Sequence, residues 1–251
     1  IADGEAEVLR GAREMLRRGA SQLKLMAGGG VTSAYDPLDV AQFTEAEMRA
    51  AVEAAENWGT YVTVHAYTPR AIRAAIAAGV RCVEHGQLID EPTAALLAEK
   101  DIWWCLQPFL DDEDAVAVPP PSVPKFKQMV AGTDTAYQLA IKHGVKIAFG
   151  TDTLFDAKLA SRQGAQLAKL TRWFTPAEVL QQATIRNAEL LAMSGPRNPY
   201  PGRLGVVTEG ALADLILVDG DPIADISLIA RPDETFTTII KNGRVVKGAA
   251  S

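Results

Sequence analysis

The chain has 251 residues and a formal net charge of −6, with 48% hydrophobic and 22% charged residues. This balance is typical of a soluble globular protein, and the length allows one large domain or a large domain with a smaller one. The negative charge, without a clustered Lys/Arg face, argues against a nucleic-acid or anionic-membrane partner. Apolar runs are all much shorter than the roughly 18 residues that span a bilayer.

Helical and strand patterns alternate along the first two thirds of the chain. A helix is predicted over residues 5–18, and the next helix begins with a capping box in which Thr44 is the N-cap and Glu47 follows three residues later. A last long helix is predicted over 175–193. Five strands are predicted near residues 22–27, 61–66, 80–85, 102–108 and 145–150.

This alternation, with short links, predicts parallel βα units, in which both faces of the sheet are covered by other elements. After "SGPRNPYPG" the pattern changes to antiparallel strands, with a hairpin signal at Asn242-Gly243. The fold class is therefore α/β with a β segment at the end. We predict an α/β domain over residues 1–194 and a small β segment over 195–251.

The two cysteines, Cys82 and Cys105, lie in apolar runs that are predicted as buried strands. We expect reduced core thiols rather than a disulfide. The first residue is Ile1, and no signal-peptide pattern follows it. We expect that the chain begins partway through a longer gene product or has been trimmed. The compartment is left open, because any signal would lie upstream.

Polar residues stand at the ends of four predicted strands: Lys24, His65, His85 and Asp152. Each has an ordinary interpretation, such as a hydrogen-bonded core histidine, a snorkelling lysine or a turn-capping aspartate. The carboxyl ends of parallel strands lie at one face, however, so the four side chains should converge there. The third histidine, His143, is expected at the surface, at a helix end that suits a cation.

These residue types suit a divalent-metal site. Neutral imidazoles and a carboxylate are ligands for Zn²⁺ or a similar ion. A buried lysine with a depressed pKa can take up CO₂ as a carbamate, which could bridge two metals. The metal lowers the pKa of a bound water to about 7, and a nearby Asp can take the proton of that water and pass it to a leaving group.

The sequence resembles the metal-dependent amidohydrolase superfamily, in particular its imidazolonepropionase-like and Xaa-Pro-dipeptidase-like branch. The resemblance covers nearly the whole chain. The matching stretches include "GASQLKLMAGGG", "TEAEMRAAVEAAENWGTYVTVHAYT", "AIAAGVRCVEHGQL", "KHGVKIAFGTDT" and "GRLGVVTEGALADLILVDGDP". It implies hydrolysis of an amide-type C–N bond in a small-molecule substrate, such as a dipeptide, an N-acyl amino acid or a cyclic amide.

The family fold is a (β/α)₈ barrel with a small β-sandwich, and the resemblance implies that this chain supplies strands four to eight, a partial TIM-type barrel. Lys24 would be the carboxylated bridging lysine, and His65 and His85 would be ligands. Asp152 would be both a ligand and the general base. The complete family site holds two Zn²⁺ ions.

The sequence departs from the family in two ways. Tyr67 stands where many relatives carry a second histidine, and it could bind a substrate carboxylate or pack at the rim. Gln107 is a further candidate for substrate contact.

The second departure is that the His-x-His pair of the first family strand is absent from the sequence, so half of the family's metal ligands are missing. Five strands cannot close an eight-stranded barrel and would leave an unpaired edge.

Three hypotheses follow. The chain is the C-terminal part of a metal-dependent hydrolase, whose remaining strands are cleaved off or supplied by another chain segment. Alternatively, it has a rebuilt site for one metal or closes a barrel by exchange within a homo-oligomer. The third hypothesis is a non-catalytic remnant of the fold. The acidic run Asp111–Asp114 is expected to be a solvated loop, and the proline-rich loop that follows is either a lid or a rigid connector.

Overall fold

The computed structural model describes residues 1–153 and 156–248, and its largest element is a parallel sheet. The strands are β1 (Leu23–Met26), β2 (Val62–Ala66), β3 (Cys82–His85), β4 (Trp103–Leu106) and β5 (Ile147–Phe149). They are hydrogen-bonded in chain order, and Met26 pairs with His65 while Ala66 pairs with His85. The predicted five strands are confirmed. β1 and β5 are the two edge strands of this order, so the sheet formed by the described residues is open and does not close into a barrel.

Helices cover one face of the sheet. They are α1 (Glu5–Arg17), α2 (Glu45–Asn57), α3 (Pro69–Ala78), α4 (Glu91–Glu99) and α5 (Val123–His143). The predicted capping box at α2 is confirmed, since the Thr44 side chain accepts from Glu47 N–H and the Glu47 carboxylate accepts from Thr44 N–H. Residues on the helix-facing side of the strands, such as Val62, Val64 and Leu106, are fully buried in the main core.

The opposite face of β1 is not covered. Lys24 and Met26 alternate with the buried Leu23 along this strand, and Met26 is 47% exposed. The prediction that both faces of every strand are buried is therefore wrong for β1. The reason is its position, because β1 is an edge strand of an open sheet.

A second group of helices follows β5. These are α6 (Ala157–Ala160), α7 (Gln163–Ala168), α8 (Pro176–Gln181) and α9 (Asn187–Ala192). A π-helical turn over Gln182–Arg186 joins α8 to α9, so the predicted long last helix is present and widens locally at this turn. The turn places Asn187 beside β5, where its amide donates to Phe149 O at 3.0 Å and its Oδ1 accepts from Phe149 N–H at 2.9 Å. Asn187 thus pairs with the edge of β5 as a strand would.

The C-terminal part forms a small antiparallel sheet of β6 (Leu215–Val218), β7 (Phe236–Lys241) and β8 (Arg244–Lys247), with the short helix α10 (Pro232–Thr235) before β7. Asn242 and Gly243, with φ of 50° and 74°, make the two-residue hairpin turn. The hairpin prediction is confirmed, and the domain boundary at residue 195 stays a prediction.

Two other sequence expectations can be compared with the fold. Cys82 and Cys105 are free thiols, as predicted, and burial raises the pKa of both well above the ordinary value. Over residues 1–153 and 156–248, we find no helix with the length and apolar character that crossing a membrane requires.

Candidate active site

Five of the six predicted site residues line one cavity of about 290 Å³ at the carboxyl ends of the parallel strands. Lys24 lies on β1, His65 on β2 and His85 at the end of β3, while Asp152 follows β5. Tyr67, one residue beyond β2, also lines the cavity. The convergence expected of parallel strand ends is therefore present in the structure.

The two histidines are buried neighbours. His65 is 6% and His85 is 3% exposed, and their ring centroids are 4.4 Å apart. Burial lowers the pKa of His65, against the opposing effect of its contact with the Gly29 carbonyl. Burial lowers the pKa of His85 further, helped by the charges of His65 and Lys24. Both rings are therefore neutral imidazoles near neutral pH, and each has one lone pair for a ligand.

Hydrogen bonding distinguishes the nitrogens of His65. Its Nε2 lies 3.0 Å from Gly29 O. A carbonyl oxygen only accepts, so Nε2 carries the proton and the lone pair lies on Nδ1. In His85 the buried Nδ1 has no hydrogen-bond partner among the described residues. Buried polar atoms are usually paired, so this nitrogen is a group whose partner remains to be identified.

Two residues of the site have a left-handed backbone, His85 with φ of 74° and Asp152 with φ of 53°. This conformation is unfavourable for most residues other than glycine, by roughly 1–2 kcal/mol, and it persists only where the surroundings impose it. At His85 the Trp104 indole N–H donates to the His85 carbonyl at 2.6 Å. In the following residue, Gly86, a Cβ would lie 2.6 Å from that indole nitrogen.

Lys24 and Asp152 are both exposed at the mouth of the cavity. Partial burial of the Asp152 carboxyl raises its pKa, with the charge of Glu84 acting in the same direction and that of Lys24 against it. The carbamate hypothesis requires a buried lysine, and the described residues leave Lys24 exposed on the edge strand β1. The carbamate therefore stays a prediction, which requires that further strands cover this edge.

The donor types suit a divalent ion, since two neutral imidazoles and a carboxylate line one cavity and one imidazole nitrogen is unpaired. Within the described ranges, however, no three His, Cys, Asp or Glu side chains lie close enough to hold a metal. The ligand set that these residues supply is therefore partial. The assignment of Lys24, His65, His85 and Asp152 as ligands stays a prediction.

Most of the remaining wall of the cavity is apolar, and Thr32 and Ser33 are its polar members. The apolar side chains are Met26, Val31, Phe109, Val116, Val118, Phe126 and Met129. Tyr67 packs into this wall and is 3% exposed, with ring centroids 5.1 Å from His65 and 5.2 Å from His85. Burial raises the pKa of the Tyr67 hydroxyl, so it remains a neutral donor. Its packing fits the rim interpretation, and its place in the cavity leaves substrate contact open.

Gln107 is not among the residues that line the cavity. It is 2% exposed, and its amide nitrogen donates to Cys105 O at 3.0 Å. Its side chain acts on His85, whose pKa it raises against the larger effect of burial. The structure thus places Gln107 close to His85, and a contact between Gln107 and substrate stays a prediction.

The loop between β4 and α5 is fixed by ion pairs. Asp114, with a side chain 2% exposed, pairs with Arg162 and with Lys169 at 3.1 Å. Glu113 and Asp112 pair with the same two cations, each at 2.8 Å. The expectation of a solvated acidic loop holds for Asp111, Asp112 and Glu113, which are exposed, and is wrong for Asp114, which is buried against cations at the two ends of α7. The same loop contributes Phe109, Val116 and Val118 to the apolar wall. A loop held by ion pairs and packed in this way supports the rigid-connector alternative.

The backbone of Gly29 lies very close to the backbone of Pro37, in the loop that follows β1. A Cβ on Gly29 would lie 1.9 Å from Pro37 O. We expect Gly29→Ala to lower the free energy of unfolding by about 1–3 kcal/mol, because the backbone must shift. The control is Gly11→Ala in α1, where no heavy atom lies within 4 Å of the added Cβ, and which should stabilise by up to about 1 kcal/mol. Urea unfolding measures both, and equal effects would contradict the prediction.

The fold and the cavity define a partial (β/α)₈ barrel with a polar mouth. The family model for the amidohydrolase family matches residues 1–246. The ochratoxinase of Aspergillus niger is 36% identical over 99% of this chain and 51% of its own length. A solved amidohydrolase structure is 37% identical with a TM-score of 0.90, covering 100% of this chain and 60% of that one.

A prolidase solved in complex with N-methylphosphonate-L-proline is 34% identical with a TM-score of 0.89, covering 99% of this chain and 60% of that one. The chain belongs to the amidohydrolase family, which confirms the resemblance seen in the sequence. It spans about half the length of the curated relatives that it matches.

Proposed function

We propose that the chain forms one side of a divalent-metal site that hydrolyses amide-type C–N bonds. The observation that carries the proposal is the pair of neutral, buried histidines, 4.4 Å apart, on a cavity shared with Lys24 and Asp152. Family membership supports the same reaction class.

In this proposal His65, through Nδ1, His85 and Asp152 hold zinc, with a carbamate on Lys24 as a further ligand. The metal, when bound, supplies Lewis-acid polarisation of the scissile carbonyl and acidifies water. Asp152 accepts a proton from the attacking water and passes it to the leaving nitrogen.

The substrate proposed is a small amide with an apolar group: a dipeptide, an N-acyl amino acid or a cyclic amide. A cavity of about 290 Å³ fits a molecule of that size. The apolar wall would take the side chain or acyl group, and the Tyr67 hydroxyl would donate to a carboxylate. The prolidase and ochratoxinase relatives support this class.

We further propose that the site is completed by strands from outside the described sheet. The exposed Lys24 and Met26 on β1, and the partial ligand set, favour a preceding chain segment or a second copy at this edge. The alternatives are a rebuilt site for one metal, and a fold remnant without activity. Metal stoichiometry and the mass of the assembly separate the three.

The experiment is an assay of the purified chain, with its oligomeric state recorded by light scattering. The panel contains Xaa-Pro dipeptides, N-acyl amino acids with apolar side chains and cyclic amides, with zinc and after chelation. We expect zinc-dependent turnover of at least one apolar member. No turnover by any assembly, with no zinc bound, would leave only the remnant.

A further inference from the structure

We propose that Lys125, on α5, is a positioning residue that holds the glycine loop in place and thereby orients His65. The glycine loop is residues 28–38, which follow β1. The Lys125 ammonium donates to three of its carbonyl oxygens, those of Gly30 at 2.7 Å, Asp36 at 3.3 Å and Ser33. Its side chain is 18% exposed. An ammonium has three donors, so this set of carbonyls satisfies it.

The glycine loop is also closed on itself. Gly30 N–H donates to Asp36 Oδ2 at 2.9 Å, and Asp36 Oδ1 lies 4.0 Å from Lys125 Nζ. Gly29 leaves no room for a side chain next to Pro37 O. The turn from Gly29 to Asp36 is therefore compact, and Lys125 joins it to α5.

The other end of this chain of contacts is His65. Gly28 N–H donates to His65 O at 2.9 Å, which continues the pairing of β1 with β2. The next carbonyl, that of Gly29, accepts from His65 Nε2 at 3.0 Å. The position of the Gly29 carbonyl thus sets which His65 nitrogen is protonated and how the ring is turned.

The consequence of losing Lys125 follows from these contacts. Three carbonyls would lose their donor, and the loop would be free to move away from α5. The Gly29 carbonyl would then no longer fix the His65 ring. The inference rests on the proposed function only for the role of His65 as a ligand, because the link from Lys125 to the ring is independent of activity.

The test is Lys125→Met, which keeps most of the aliphatic stem and removes the donors. The control is Lys127→Met, an exposed lysine on the same helix. The readout is nitrogen NMR of the full chain labelled at its three histidines, which reports the tautomer of each ring, with His65→Asn for assignment. We expect one Nε2–H tautomer for His65 in the wild type and in Lys127→Met, and a mixture in Lys125→Met.

Two further variants keep the result decisive. Asp36→Ala removes the acceptor of Gly30 N–H and loosens the loop from its other side, so it should also produce a mixture, and it replaces Lys125→Met if that variant does not fold. Lys125→Arg restores donors and should recover part of the single tautomer. Zinc affinity should fall by roughly 10-fold in Lys125→Met, as for other residues that orient a ligand.

A His65 tautomer and zinc affinity unchanged in both folded loop variants would overturn the inference. A wild-type chain without hydrolytic activity would contradict the proposed function instead, and would leave the tautomer result standing.

Discussion

Asp152→Asn is expected to lower turnover by about 10²–10⁴-fold, because an amide cannot accept the proton of the attacking water. Asn retains an oxygen at the same position, so zinc content should be largely intact. It also tolerates the left-handed backbone of residue 152, which has φ of 53°. The measurement is kcat together with metal analysis of the same sample.

The matched control for this prediction is Asp111→Asn. Asp111 is exposed and lies in the loop between β4 and α5, so its replacement should leave turnover unchanged. Turnover by Asp152→Asn equal to that of the wild type would remove Asp152 as the base. Loss of zinc together with activity would show that it acts mainly as a ligand.

His85→Asn is expected to weaken zinc binding by more than about 10²-fold, since removing a ligand should exceed the loss seen when only its supporting residue is removed. Asn is the suitable replacement because it accepts φ of 74° at this position. His65→Asn should have a similar effect and also lose the contact with Gly29. Competitive titration against a chromophoric chelator measures the affinity.

The control is His143→Asn at the end of α5, where the ring lies 3.4 Å from Glu91 and outside the cavity lining. We expect zinc affinity like that of the wild type. Equal affinity in all three histidine variants would contradict the proposed site.

Much of the site could be predicted from the sequence because it depends on one general property of the fold. Parallel strands present their carboxyl ends at one face, so Lys24, His65 and His85 converge wherever such strands are paired in order. The capping box at Thr44 and the Asn242-Gly243 turn depend on local sequence alone and could be predicted equally well. The roles of the residues came from the family resemblance.

The features that the sequence did not reveal depend on contacts between distant segments. Lys125 meets the glycine loop across more than 90 residues, and Asp114 meets Arg162 across 48. The charges of the acidic run suggested solvation, but Asp114 pairs with Arg162 and Lys169, which lie at the two ends of the later helix α7. The carbonyl of His85, whose backbone is left-handed, accepts a hydrogen bond from Trp104, on the next strand. Local pattern carries no signal of these pairings.

The sequence left the exposure of Lys24 open. A lysine between two leucines can snorkel to the surface, whereas the carbamate hypothesis needed a buried one, and the structure shows an exposed side chain on the edge strand β1. The same edge accounts for the partial ligand set. This is the edge at which we propose that further strands complete the site.

The most direct test of the proposed site is anomalous diffraction from crystals of the chain grown with zinc. We predict an anomalous peak in the cavity, about 2.0–2.1 Å from one nitrogen of His65 and one of His85. Zinc bound only elsewhere, for instance at His143, or a cavity without a peak at saturating zinc, would contradict the account.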